Sequence, residues 1–130
     1  MRSRAVEQFN TDMRSLLEEA LSRGVKAEDL FQTTGCSYDA ATFFDRITEG
    51  KDPEYRRNTA RRILLNKPGD LFYDVVMNYL DSLGTSKNYK KLPPAKIRRQ
   101  GLGPFEPVDG RHRAALCILL DIKYIPIEDV

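Results

Sequence analysis

Long apolar runs are absent from this chain. No stretch approaches the ~20 apolar residues that a membrane-spanning helix needs, so no membrane partner is expected. The N-terminus has no apolar signal core; it is charged and amphipathic. Cysteine is scarce. Cys36 and Cys117 form no metal-like pair, and two cysteines make no disulfide scaffold. A reducing, cytoplasmic setting is the expectation, with Cys117, inside an apolar run, as a buried thiol. No metal site is expected. An excess of one charge is also missing: 21 Lys+Arg stand against 19 Asp+Glu, and a net charge of +2 does not by itself imply a nucleic-acid partner. Internal repeats and low-complexity segments are not apparent.

What is present fits one domain. A chain of 130 residues with 41% apolar side chains can bury a real core. Residues 1–84 read as a helical region. Ala5, Phe9, Met13, Leu16, Leu17, Ala20 and Leu21 fall on one stripe of a helix over 4–22, and Gly24 ends it. A short helix is predicted over 26–33, broken by Gly35. Ser37 is read as the N-cap of another helix over 38–48, with Ala40, Phe43, Phe44 and Ile47 inward. Residues 54–66 form a basic helix whose buried face is Tyr55, Thr59, Ala60 and Ile63. Arg57 and Arg61, four apart on its outer face with Arg56 nearby, suit phosphate contacts. A further amphipathic helix is predicted over 70–83.

Acid is missing from one stretch. Thr85 to Gln100 carries Lys87, Lys90, Lys91, Lys96, Arg98 and Arg99 with no Asp or Glu. With Pro93-Pro94, Gly101, Gly103 and Pro104, residues 85–104 read as a basic loop, in which 94–100 could form a short helix. These basic side chains and Tyr89 suit a nucleic-acid or nucleotide phosphate.

The charge is densest near the C-terminus, at Asp109-Gly110-Arg111-His112-Arg113. An extended segment, Phe105 to Val108, runs into a turn. A helix over 113–120 follows, apolar on every side, and then Lys123 to Ile127 alternates as a strand, with Pro126 favouring an edge or an end. A strand–helix–strand unit whose first turn carries Gly and two Arg is an anion cradle by its chemistry. Helix-start N–H groups and the dipole favour negative charge, and guanidinium groups bind phosphate bidentately.

Two resemblances sharpen this reading. Gly24, Glu28-Asp29-Leu30, Thr34-Gly35-Cys36-Ser37, Ile47, Glu49-Gly50-Lys51 and Pro53 together resemble the helix-turn-helix of phage-repressor-like proteins. That resemblance implies a recognition helix starting at Ser37, Tyr38, Asp39 and Thr42, although Phe31 stands where the family usually has Ala. Val108 to Leu120, followed by Asp121 to Ile127, is similar to the core signature of the ParB/sulfiredoxin superfamily, with Gly110, His112 and Arg113 matching its Gly-x-His-Arg turn. This resemblance, over residues 105–127, implies bound nucleotide phosphates: ATP or CTP with Mg²⁺. In it Gly110 would allow close backbone approach, Arg113 would bind phosphate, His112 would orient a phosphate oxygen or water, and Asp109 would hold Mg²⁺ or act as a base. Arg111 occupies the place of the sulfiredoxin cysteine, and Cys117 lies more than a turn further on, so sulfinic-acid reduction is excluded.

The expected architecture is α+β: a mostly helical N-terminal region packed on a small C-terminal strand–helix–strand unit. The expected function is that of a phage- or plasmid-type ParB-like protein binding nucleic acid or nucleotide phosphates through Gly110, Arg111, His112 and Arg113. Arg57, Arg61, Lys90, Lys91, Lys96, Arg98 and Arg99 would assist. One alternative is a nucleotide-dependent phosphotransferase or metal-dependent nuclease with Asp109 and His112 catalytic. Another is a non-catalytic interaction or inhibitor protein. Substitution of Leu116 or Leu119 should unfold the chain; substitution of Arg111 or Arg113 should spare the fold.

Overall fold

A helix apolar on every side needs cover all round. In the computed structural model, which describes residues 14–48, 50, 52–66, 76, 78, 79, 91–99, 101 and 105–130, that cover comes from both helices and sheet. The elements are α1 (14–22), α2 (Ala27–Leu30), β1 (Ser37–Asp39), α3 (Ala40–Ile47), α4 (Pro53–Asn66), β2 (Ala95–Arg98), β3 (Glu106–Asp109), α5 (Arg111–Leu119) and β4 (Tyr124–Asp129); residues 76, 78 and 79 are also helical. α5 packs on α3, on α4 and on β4. Its Ala114, Ala115, Leu116 and Cys117 are buried together with Phe43, Phe44, Ala60, Leu64, Ile97, Ile125 and Ile127 in one core. The fold is α+β, with the helical N-terminal region packed on the C-terminal strand–helix–strand unit as expected. Among the described residues no helix is long and apolar enough to cross a membrane.

The sheet is larger than two strands. Four strands lie in the order β1-β4-β2-β3, with β4 parallel to β2 and the two outer pairings antiparallel. β2 therefore separates β3 from β4, and β3 runs opposite to β4. The unit around α5 is thus not a parallel crossover. β2 also corrects the short helix expected over 94–100. Pro94 would be tolerated at the first position of that helix, but Ala95 and Ile97 are buried while Lys96 and Arg98 are not. That alternation is the period of a strand.

Pro126 lies in a central strand, not at an edge. Its missing donor is tolerated because of register. The pairing with β2 begins one residue later, at Ala95↔Ile127. The Ile127 N–H donates to Cys36 O on the β1 side (3.1 Å). Backbone groups of successive residues alternate between the two edges, so the Pro126 nitrogen faces the β2 side just before that ladder starts.

The segment expected to be a helix-turn-helix differs most. α2 is a single turn. Beyond it Phe31 bridges to Leu92, where Gln32 N–H donates to Leu92 O (2.8 Å) and Leu92 N–H donates to Leu30 O (2.8 Å), and the chain bends at Gly35 (φ +80°) before β1. A one-turn helix is marginal by itself, and burial of Leu30, Phe31 and Leu92 at 0–1% exposure outweighs its continuation. Ser37, Tyr38 and Asp39 form an edge strand instead of a recognition-helix start, and the N-cap of α3 is Asp39, not Ser37. The Asp39 carboxylate accepts from Thr42 N–H (2.9 Å) and Thr42 Oγ1 (3.0 Å).

The remaining helices follow their spacing. α1 ends at Gly24, which adopts φ +69°; the expected start at residue 4 lies outside the described residues, as does most of 70–83. On α4, Thr59, Ala60, Ile63 and Leu64 are buried, whereas Tyr55 is 45% exposed, a correction to its expected inward face. α5 closes in a Schellman arrangement with Asp121 at φ 53°, where Ile122 N–H donates to Cys117 O (2.9 Å).

Candidate functional site

The charged turn stands at the junction of β3 and α5. Gly110 is the N-cap of α5, at φ 131°. A β-carbon there would lie 2.6 Å from Ala95 Cβ and 3.2 Å from Ala95 Cα. The reason for glycine is therefore packing against β2. Gly110 is buried, and its Cα faces Ala95 and Phe43 rather than open space. The side of Gly110 where a side chain would stand is taken up by β2.

The first turn of α5 is Arg111, His112 and Arg113, with no acid in it and no side-chain cap. That inverts the usual preference. A helix N-terminus carries about half a positive charge and normally collects Asp or Glu; a cation there forgoes about 0.3–1 kcal/mol. Arg113 is the one whose compensation is explicit. Its Nη1 donates to Pro94 O (3.1 Å), its Nη2 lies 3.6 Å from Asp109 Oδ2, and its side chain is only 14% exposed. It ties the approach to β2 onto α5. Asp109 is 60% exposed at the other end of that pair. His112 is half-buried and partnered. Arg111 is exposed.

The other expected residues do not converge on this turn. Lys96 stands opposite Asp109 in the β2–β3 register and Arg98 opposite Glu106. Arg99 pairs with Asp129 (3.0 Å) in an exposed bridge. Lys91 donates to Glu28 O (2.7 Å), so it holds α2. Lys90 lies outside the described residues, as does Lys87. Arg57 reaches Asp121 (3.4 Å), just past the C-terminal end of α5, and Arg61 is one turn along the same exposed face. α5 spans Arg111–Leu119, and at ~1.5 Å per residue its length separates the α4 arginines from the turn. Arg111 and Arg113 thus stand at one end of α5 and Arg57 at the other.

Two further arginines are structural. Arg56 makes a bidentate pair with Asp45 (2.8 and 2.7 Å), partly shielded from water, and is removed from the phosphate-binding set. Arg46 lies 4.9 Å over the Phe105 ring and donates to Phe105 O (3.2 Å), while Phe105 meets Tyr38 edge-on and stacks on Phe43. Cys117 is the buried thiol expected, and burial pushes its pKa well above the ordinary thiol range. The N–H of Thr42 holds the Asp39 carboxyl below its usual range.

ATP or CTP with Mg²⁺ would make specific demands on these residues. Such a complex needs carboxylates or other hard oxygens for the ion and free cations for the phosphates. Among the described residues no three His, Cys, Asp or Glu side chains are grouped to hold a metal. Arg113 is occupied by Pro94 and Asp109, and Gly110 is covered by Ala95. No protein-family model, curated protein or solved structure matches the chain.

Proposed function

We propose that this chain is a ParB-like protein of the phage or plasmid type that binds phosphate groups of nucleic acid at the N-terminal end of α5. The observation that carries this reading is the first turn of α5, which has three basic residues and no acid or side-chain cap. Arg111 is left outward while Arg113 is turned in. A phosphate oxygen would satisfy the helix-start N–H groups and neutralise the excess charge at once. Arg111 supplies the charge-assisted contact.

Binding is favoured over turnover because Asp109, the sole acid of the turn, lies against Arg113. Phosphate contacts of this kind position a chain on nucleic acid without reading sequence.

Filter binding with single- and double-stranded oligonucleotides at two salt concentrations tests the proposal. Affinity should fall as salt rises, because bound cations release counterions. A thermal-shift panel of ATP and CTP, with and without Mg²⁺, runs beside it. Stabilisation by a nucleotide only with Mg²⁺ would favour the phosphotransferase or nuclease reading through Asp109 and His112. No binding to either class, together with capture of a protein partner, would favour an interaction or inhibitor protein.

A further inference from the structure

At the far end of α5 the structure holds a second feature, independent of the turn. A cavity of about 110 Å³ opens between α1, α4 and the last residue of α5. Leu17, Leu21, Leu64 and Leu119 supply its apolar lining. Leu64 is buried, whereas Leu21 is 41% exposed, so the cavity has a closed floor and an open mouth.

Its charged lining is one-sided. Among the described residues Arg14, Arg57 and Arg61 line the cavity with Glu18 as the one acid. Arg57 shares its charge with Asp121 at 3.4 Å, in a pair 58% and 57% exposed. Three guanidiniums against the carboxylates of Glu18 and Asp121 leave one positive charge. Arg14 and Arg61 make no ion pair or hydrogen bond among the described residues. An arginine over an apolar lining is the chemistry that receives a carboxylate whose tail needs burial: the planar fork takes both oxygens, and the leucines take the chain.

We propose that this cavity binds a small monocarboxylate with an apolar tail, its carboxylate on Arg61 and Arg14 and its tail against Leu17, Leu64 and Leu119. Charge selects a monoanion, since one positive charge is uncompensated. Size selects a short alkyl chain or a small ring, since an apolar cavity of ~150 Å³ holds benzene. Among the described residues the lining has no aromatic face, which disfavours a stacked nucleobase. Leu119 belongs to both the cavity and the core helix, so occupancy would be felt at α5.

The test is an amide-resolved NMR titration of the full chain with hexanoate, hexanol and acetate. Hexanoate should shift amides of residues 14–21, 57–64 and 119, and should bind at least about ten-fold more tightly than hexanol, which lacks the charge, or acetate, which lacks the tail. Arg61→Gln should weaken hexanoate by about ten-fold, the loss of one charge-assisted contact, and leave hexanol unchanged. Arg61 is exposed, so its variant should keep the wild-type melting temperature. Equal binding of hexanoate and hexanol would overturn the proposal, as would shifts that map away from α1 and α4, or an Arg61→Gln chain that binds hexanoate like the wild type. A hexanoate response that tracks Arg111 instead would assign the anion to the turn and also overturn it.

Discussion

Arg113 reaches from the first turn of α5 to the carbonyl of Pro94, 3.1 Å away and nineteen residues earlier in the chain. This contact divides the charged turn. One arginine ties the approach to β2 onto α5, and the other, Arg111, faces water. Arg113→Ala should therefore unfold more readily, by roughly 1.5–3 kcal/mol, the scale of a hydrogen bond to a charged group plus its packed stem. Arg113→Lys should recover part of that, because a point charge replaces a fork. Chemical denaturation measures both. A wild-type midpoint for Arg113→Ala would mean the clamp contributes nothing.

Gly110→Ala should destabilise by about 1–3 kcal/mol, the usual cost of an overpacked contact. The added carbon would meet Ala95 at 2.6 Å with the backbone at φ 131°, so neither rotation nor a small shift relieves it. Thermal unfolding reads this directly. Pairing the change with Ala95→Gly should relieve the contact but not the backbone strain, so only partial rescue is expected.

Leu116 and Leu119 should behave differently. Leu116 is 1% exposed and its truncation to Ala should cost about 2–5 kcal/mol. Leu119 is only partly buried at the cavity mouth, so Leu119→Ala should cost roughly 1–2 kcal/mol and leave a folded chain. This corrects the expectation that either change unfolds the protein.

Asp39 carries a pH signature. The Thr42 N–H holds its carboxyl below the ordinary value of 3.8, so its cap stabilises the fold above that pH and is lost as pH falls through the lowered value. Asp39→Ala should cost about 1 kcal/mol at neutral pH, and the gap to wild type should close under acid. Asp39→Asn should keep most of the cap with no such pH dependence. Urea midpoints across pH 2–7 check all three.

Much of the helical layer was legible from spacing. α4 follows its apolar stripe, Gly24 stops α1, and the run from Ala114 to Leu120 required cover on all sides. What escaped was non-local. β1 is three residues with no alternation to read, and it forms because β4, some ninety positions later, offers an edge; Thr34 Oγ1 even donates to Ile127 O (2.7 Å). β2 did carry a signal, the alternation of Ala95 and Ile97 with Lys96 and Arg98, but it was hidden behind Pro93-Pro94 in a basic loop. In the turn, residue types were legible and directions were not. What tells Arg113 from Arg111 is Asp109, four residues earlier, and the distant Pro94 carbonyl. Arg57 and Arg61 shared a face as expected, yet α5 places them at its other end, beside Leu17 and Leu21, which spacing had marked only as a core stripe.

The most direct test of the account is the Arg111→Glu chain, assayed for stability and for oligonucleotide binding in the same buffer. Arg111 begins a helix whose N-terminus prefers a negative charge, so the free variant should be as stable as wild type or more so, by up to about 1 kcal/mol. Its affinity for oligonucleotide should fall at least ten-fold at low salt, and its salt dependence should flatten by about one unit of slope. An Arg111→Glu chain that binds like the wild type would contradict the account, and would place any nucleic-acid contact elsewhere on the molecule.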